Sequence, residues 1–156
     1  MKLRQLGVLV ALVMGLAPIL AGRAGQGAKP ADTQYFGGKV MPLAEVLARR
    51  GVKLDVDAAK HWMALVADDG KVYPLIKDPG SRMFFQDKTL LNRPMRLTGR
   101  LLPETRLLQV VNVHSIKEGK LYEVYYWCDI CTIKGYEKVI CECCGGPMEL
   151  REALVK

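Results

Sequence analysis

The feature that most constrains this chain is the placement of its cysteines. All five lie between residues 128 and 144 of a 156-residue sequence. Cys128 and Cys131 have two residues between them, and after nine further residues Cys141 and Cys144 repeat that spacing. A C-x-x-C pair places two sulfurs on one tight turn, and a second pair completes a tetrahedral four-sulfur site of the kind that Zn²⁺ prefers. The spacing predicts that these four cysteines bind one metal ion.

The second pair is followed by Gly145, and Cys141-x-x-Cys144-Gly145 resembles the knuckle of zinc ribbons and rubredoxins. In those knuckles the residue after the second cysteine is often glycine, because the turn needs a positive φ and lets backbone N–H groups point at sulfur. The first pair departs from this pattern, since Thr132 stands where glycine would be. The resemblance covers residues 128–146. It implies a metal site for zinc, or alternatively iron, and no particular reaction.

Cys143 is the fifth cysteine and competes with its neighbours for a place in the site. The adjacent Cys143 and Cys144 suit one metal poorly, because successive side chains in extended backbone point to opposite sides. A pair made of Cys141 and Cys143 has one intervening residue and lacks the same cradle of N–H groups. We therefore predict that Cys143 is a spare thiol or lies just outside the four ligands.

Two other interpretations of the cysteines stay open. An exported chain can oxidise its cysteines, which would give two disulfides and one free thiol. A redox dithiol or an iron–sulfur centre is the other alternative. Trp127-Cys128-x-x-Cys131 also resembles the thioredoxin motif, but that motif needs a helix that begins at its first cysteine and a βαβ framework. The glycine residues and the proline within 132–156 argue against such a framework.

Residues 1–24 have the composition of a secretory signal peptide. Lys2 and Arg4 form a basic start, residues 6–20 are apolar, and residues 21–24 are mostly small. We predict an exported protein, periplasmic or extracellular, that contacts a membrane only if this segment is not cleaved. Removing its three basic residues and no acidic ones lowers the formal net charge from +7 to +4. A mild positive charge fits an anionic ligand or surface without requiring one.

The rest of the chain is predicted to be mainly β (α+β). Residues 25–38 are rich in glycine, alanine and polar side chains, which predicts a flexible linker. Residues 39–127 are predicted to form a small β domain, and residues 128–152 a metal-binding ribbon packed on it. Pro42 suits the first turn of a short helix.

The pattern within the domain indicates a small barrel. An Asp-Gly turn at residues 69–70 predicts a hairpin, because this pair tolerates the positive φ of tight turns. Strand patterns cover residues 62–67, 71–76, 95–101, 107–114 and 121–127. With one or two short helices, this order resembles a five- or six-stranded barrel of the OB type, whose helix lies between the third and fourth strands.

Candidate sites outside the cysteines are few. His61 and His114 are the only histidines, and each is predicted to be an ordinary half-buried or solvated residue. Asp68 and Asp69 are explained by their place in the hairpin turn.

Three consecutive aromatic residues, Tyr125, Tyr126 and Trp127, precede the first cysteine. They form either a stacking platform for a base or sugar or core packing beside the metal, and we favour core packing.

These observations favour a non-enzymatic exported protein with a structural zinc site, acting as a binding or accessory module for an unknown protein or small ligand. A metal-redox or metal-handling protein, with iron or labile zinc in the same four-cysteine site, is the alternative. Nucleic-acid binding is a third hypothesis, because a barrel, a zinc ribbon and positive charge are a familiar combination. Export and the absence of a basic stripe in the sequence argue against it.

Overall fold

The computed structural model describes residues 32–55, 57 and 60–156, so the predicted signal peptide and half of the predicted linker lie outside the described residues. Within this part of the chain, eight strands pair antiparallel in one sheet, and the prediction of a mainly β fold is confirmed. The strands are β1 (Gln34–Pro42), β2 (Met63–Ala67), β3 (Val72–Pro74), β4 (Pro94–Leu101), β5 (Leu108–Lys117), β6 (Lys120–Cys128), β7 (Ile133–Gly135) and β8 (Glu149–Leu154).

The helical elements are short. They are α1 (Leu43–Ala48), which follows Pro42 as predicted, α2 (Met83–Gln86), and a 3₁₀ turn at Lys88–Leu90. None of the described helices is long and apolar enough to cross a membrane.

β1 is a strand that the sequence analysis missed in part. It begins at Gln34, so the prediction of a linker through residue 38 was wrong at its C-terminal end. The two glycines that suggested a loop lie inside the strand. A Cβ atom on Gly38 would lie 2.2 Å from the carbonyl oxygen of Val66 in β2. Glycine is therefore needed here because β1 and β2 approach each other closely.

The strand order is β3-β2-β1-β4-β5-β6-β7, and β8 also pairs with β6. With α2 between β3 and β4, this order resembles an OB fold, but the sheet does not close into a barrel. One isolated parallel bridge, between Leu75 and Leu108, joins the end of β3 to the start of β5. β3 is only three residues long, and Pro74 at its end has no N–H to donate. The sheet therefore stays open on this side.

The apolar core lies on the inner face of the sheet. Its buried strand residues include Val40, Leu65, Leu97 and Val124, and α2 adds Met83 and Phe84. The helix and the following 3₁₀ turn thus cover one end of the sheet with apolar side chains. The C-terminal segment belongs to the same sheet, because β8 pairs with residues 122–127 of β6.

Candidate metal centre

Four cysteine sulfurs come together at the C-terminal end of β6. The Sγ atoms of Cys128, Cys131, Cys141 and Cys144 all lie within 4.8 Å of one another, and those of Cys128 and Cys144 are 3.5 Å apart. Four sulfurs about 2.3 Å from a tetrahedral centre would be about 3.8 Å from one another. The cluster is therefore compatible with a metal site, while the assignment of the four residues as ligands stays a prediction.

The first knuckle (residues 128–132) continues directly from β6. Cys128 is the last residue of β6 and is buried. The N–H group of Cys131 points at the Sγ atom of Cys128, with an N···S distance of 3.5 Å. The N–H group of Thr132 donates to the carbonyl oxygen of Cys128 at 2.8 Å. Thr132 has a φ of 53°, so a β-branched residue here adopts the backbone conformation that favours glycine.

The second knuckle (residues 141–145) has the same construction. The N–H group of Gly145 donates to the carbonyl oxygen of Cys141 at 2.8 Å, and Gly145 has a φ of 70°. The N–H group of Gly146 points at the Sγ atom of Cys144, at 3.4 Å. Donors aimed at sulfur stabilise thiolates, which is the form that binds a metal.

The thiols differ in their pKa values because they receive different hydrogen bonds. Backbone N–H groups of Cys144 and Cys143 lower the pKa of Cys141 to about 7. Hydrogen bonds with the thiols of Cys143 and Cys144 raise the pKa of Cys131. Cys143 is exposed and does not belong to the compact group of four. Its thiol nevertheless lies close enough to interact with that of Cys131.

The segment between the knuckles is tied to α2. Arg82 forms an ion pair with Glu137, and the side-chain carbonyl of Gln86 accepts a hydrogen bond from the N–H group of Lys138 at 3.0 Å. The Lys138 ammonium lies 3.2 Å from the Asp87 carboxylate. These contacts join residues more than fifty positions apart, as in the Arg82–Glu137 pair, so the sequence carries no local signal for them.

Asp87 connects the segment between the knuckles to the core. Its buried carboxylate accepts hydrogen bonds from Thr89 and from the hydroxyl of Tyr126, the latter at 3.0 Å. Burial alone would raise its pKa, but hydrogen bonds from Thr89, Tyr126 and Lys138 lower the pKa of Asp87 to about 2. Asp87 is therefore a charged group that links the cysteine ribbon, the 3₁₀ turn and β6.

Side-chain contacts of two neighbouring residues, Arg151 and Glu152, hold β8 in place. The Arg151 guanidinium contacts both carboxylate oxygens of Asp129, in the first knuckle, at 2.7 Å each. The next residue, Glu152, accepts hydrogen bonds or ion pairs from Arg93, Ser115 and Lys117. Both contacts come from one guanidinium nitrogen, Nη2, and hydrogen bonds between charged groups are stronger than those between neutral groups. The first knuckle is thus connected to the sheet by a side-chain contact as well as by β6.

The aromatic residues before the first cysteine divide between the two faces of the sheet. Tyr126 is buried in the core, which agrees with the prediction of core packing. Tyr125 and Trp127 are half-buried on the opposite face, where their ring centroids are 6.4 Å apart. The prediction of core packing therefore fits only the middle residue of the three.

The two histidines lie outside the cysteine cluster. His114 lies on β5 beside Arg96 on β4 and Glu123 on β6. Burial and the neighbouring Arg96 charge lower the pKa of His114. His61 is exposed at the edge of a cavity.

The two aspartates lie at the hairpin turn, as predicted. Asp69 follows β2 and pairs with Lys71 at 2.6 Å. Asp68 also follows β2, and its N–H group donates to the carbonyl oxygen of Gly37 at 3.1 Å.

Comparisons of this chain with protein-family models, curated proteins and solved structures find no match. The functional argument therefore depends on the geometry of the cysteine cluster and of the residues around it.

Proposed function

We propose that Cys128, Cys131, Cys141 and Cys144 hold one zinc ion with a structural role in an exported, non-enzymatic binding or accessory module. The observation that carries this proposal is the repeated knuckle. Both pairs have the same spacing, a 2.8 Å backbone hydrogen bond to the first cysteine, and a residue with positive φ after the second cysteine. Two such turns that face each other are the usual protein arrangement around tetrahedral zinc.

A structural role is favoured over a catalytic one by the number of ligands. Four cysteine thiolates fill the coordination positions of zinc, whereas catalytic zinc sites use three protein ligands and keep one position for water or substrate. The ion would hold together residues 128–146, which contain one three-residue strand, β7, and otherwise turns. Metal binding would replace the apolar core that so short a segment does not have.

The place of the cluster supports this role. The segment that the metal would order carries Glu137 and Lys138, which contact Arg82 and Asp87 beside α2. Zinc would therefore stabilise residues 128–146 and, through these contacts, the position of α2 at one end of the sheet.

Native mass spectrometry of the full protein tests the proposal. We expect the mass of one zinc ion per chain, together with five reduced cysteines. A chain without metal whose mass is lower by two hydrogens for each of two disulfides would contradict the proposal. An iron-loaded chain that absorbs visible light would instead support the metal-redox alternative.

A metal-handling role is the second candidate, and one observation favours it. Cys143 is exposed and its thiol interacts with that of Cys131, so a fifth sulfur lies beside the predicted ligands. A fifth sulfur could take the place of one ligand and make the ion exchange faster. Equal loss of zinc affinity after serine substitution of Cys141, Cys143 and Cys144 would favour this role.

A further inference from the structure

A cavity of about 250 Å³ lies at the open side of the sheet. It shares no lining residue with the cysteine cluster. Its walls and floor are mostly apolar and include Trp62, Leu75, Ile76 and Phe85. Small-molecule sites have this composition, with a few polar groups that fix the orientation of the ligand.

The cavity lies just beyond the paired part of the β2–β3 hairpin. The N–H group of Leu75 donates to the carbonyl oxygen of Met63 at 2.9 Å, which continues the register in which Ala64 faces Pro74. The hydrogen-bonded pairing ends at Met63 and Leu75. His61 and Trp62 on one arm of the hairpin, and Ile76 and Lys77 on the other, follow directly beyond the pairing and line the cavity.

The other boundary of the cavity follows from the open sheet. β5 meets the end of the hairpin at the bridge between Leu75 and Leu108, and α2 supplies Phe85 beside the gap. Leu75 is buried at the floor, while Trp62 is 45% exposed. The aromatic side chain of Trp62 is thus half-exposed beside an apolar floor.

The rim of the cavity is positively charged. The Lys77 ammonium lies 5.3 Å from the centre of the Phe85 ring. Among the described residues it has no carboxylate or hydrogen-bond partner, and His61 also lines the cavity. A cation without an acidic partner at the edge of an apolar cavity complements a ligand that has an anionic group and an apolar body.

The volume limits the size of the ligand. About 250 Å³ corresponds to about eight water molecules at roughly 30 Å³ each, enough for one ring with a short side chain. A protein partner needs on the order of 1,000 Å² of buried surface, which a cavity of this size does not supply.

We propose that this cavity binds a small aromatic carboxylate, with its ring against Trp62 and Phe85 and its carboxylate toward Lys77. This proposal names a ligand class for the module and does not depend on the metal. Ring contacts with Trp62 supply apolar burial, and the ammonium supplies a charge-assisted hydrogen bond.

The test uses 3-phenylpropionate as the probe and its amide, 3-phenylpropanamide, as the uncharged control. Calorimetric titration of the full protein should give saturable binding of the acid and about tenfold weaker binding of the amide, the size expected for one lost charge-assisted contact. In proton–nitrogen spectra the indole N–H signal of Trp62 should shift with the acid, while that of Trp127 stays in place.

Lys77→Gln and Lys120→Gln form a matched pair of variants. Both lysines are exposed, so both variants should fold. Lys77→Gln should lower the affinity for the acid about tenfold, to that of the amide, whereas Lys120→Gln, at the β5–β6 turn, should leave it unchanged. The proposal is overturned by equal binding of acid and amide, by no binding at millimolar concentrations, or by self-association that covers Trp62.

Discussion

Thr132 and Gly145 occupy equivalent positions in the two knuckles. Each donates its N–H group to the carbonyl oxygen of the first cysteine of its pair at 2.8 Å, and their φ angles are 53° and 70°. Glycine adopts this conformation without cost, whereas a non-glycine residue pays of order 1–3 kcal/mol. The first knuckle therefore keeps the shape of the second despite an unfavourable residue.

Thr132→Gly is expected to stabilise the zinc-loaded protein by about 1 kcal/mol. Relief of the positive-φ cost outweighs the extra flexibility that glycine gives to the unfolded chain. Urea denaturation in the presence of zinc measures the difference.

Gly145→Ala is the complementary variant. A Cβ atom at Gly145 would have no other atom within 4 Å, so the change tests the backbone conformation alone. We expect a loss of about 1 kcal/mol. A destabilised Thr132→Gly together with a neutral Gly145→Ala would contradict the equivalence of the two knuckles.

Removal of the metal is expected to act locally. Chelation, or Cys131→Ser, should increase amide hydrogen exchange in residues 129–148 much more than in the β2–β3 hairpin, residues 63–74. β8 should stay protected because it pairs with β6 and because Glu152 is held by Arg93, Ser115 and Lys117. Re-addition of zinc is the control and should restore protection only in the chelated sample. Equal exchange across the ribbon and the hairpin would show that the metal supports the whole domain.

Asp87 gives a pH dependence with a defined sign. Its pKa is lowered from 3.8 to about 2 in the folded protein, so its contribution is present above pH 4 and is lost as the pH falls toward 2. Asp87→Asn should therefore cost about 2 kcal/mol at pH 7, and the difference from the wild type should shrink toward pH 2.

Asp69→Asn serves as the control for that series. Asp69 is an exposed turn residue, and asparagine retains the side-chain oxygen that accepts the N–H group of Lys71. Its effect should be small at every pH. A constant difference between Asp87→Asn and the wild type from pH 7 to pH 2 would show that the charge of Asp87 does not stabilise the fold.

Local signals made part of the fold predictable. The hairpin was predicted from the Asp-Gly pair at residues 69–70, and the short helix was predicted from Pro42. Each signal lies within a few neighbouring residues. β1 was partly missed because the reason for Gly38 is a contact with Val66, which lies on another strand.

The candidate site likewise combines features with a local sequence signal and features without one. The C-x-x-C spacing identified the four cysteines that the fold brings together. The contacts of Glu137 and Lys138 with α2 depend on tertiary packing. No periodicity or spacing in the sequence indicates them.

Processing of the N terminus is a separate prediction. We expect protein recovered from an exported fraction to begin at Gly22 or Gly25, because the basic, apolar and small residues of segment 1–24 follow the order of a signal peptide. N-terminal sequencing measures this directly. Recovery of chains that begin at Met1 from the membrane fraction would indicate an uncleaved anchor.

The most direct test of the zinc proposal compares Cys143→Ser with Cys144→Ser. The two residues are adjacent and both exposed, yet only Cys144 has its sulfur in the compact group of four. Zinc affinity is measured by competition with a chelating dye, and stoichiometry by native mass spectrometry. We expect Cys143→Ser to keep one zinc ion with nearly unchanged affinity and Cys144→Ser to bind zinc much more weakly. Loss of zinc from Cys143→Ser with retention in Cys144→Ser would contradict the account.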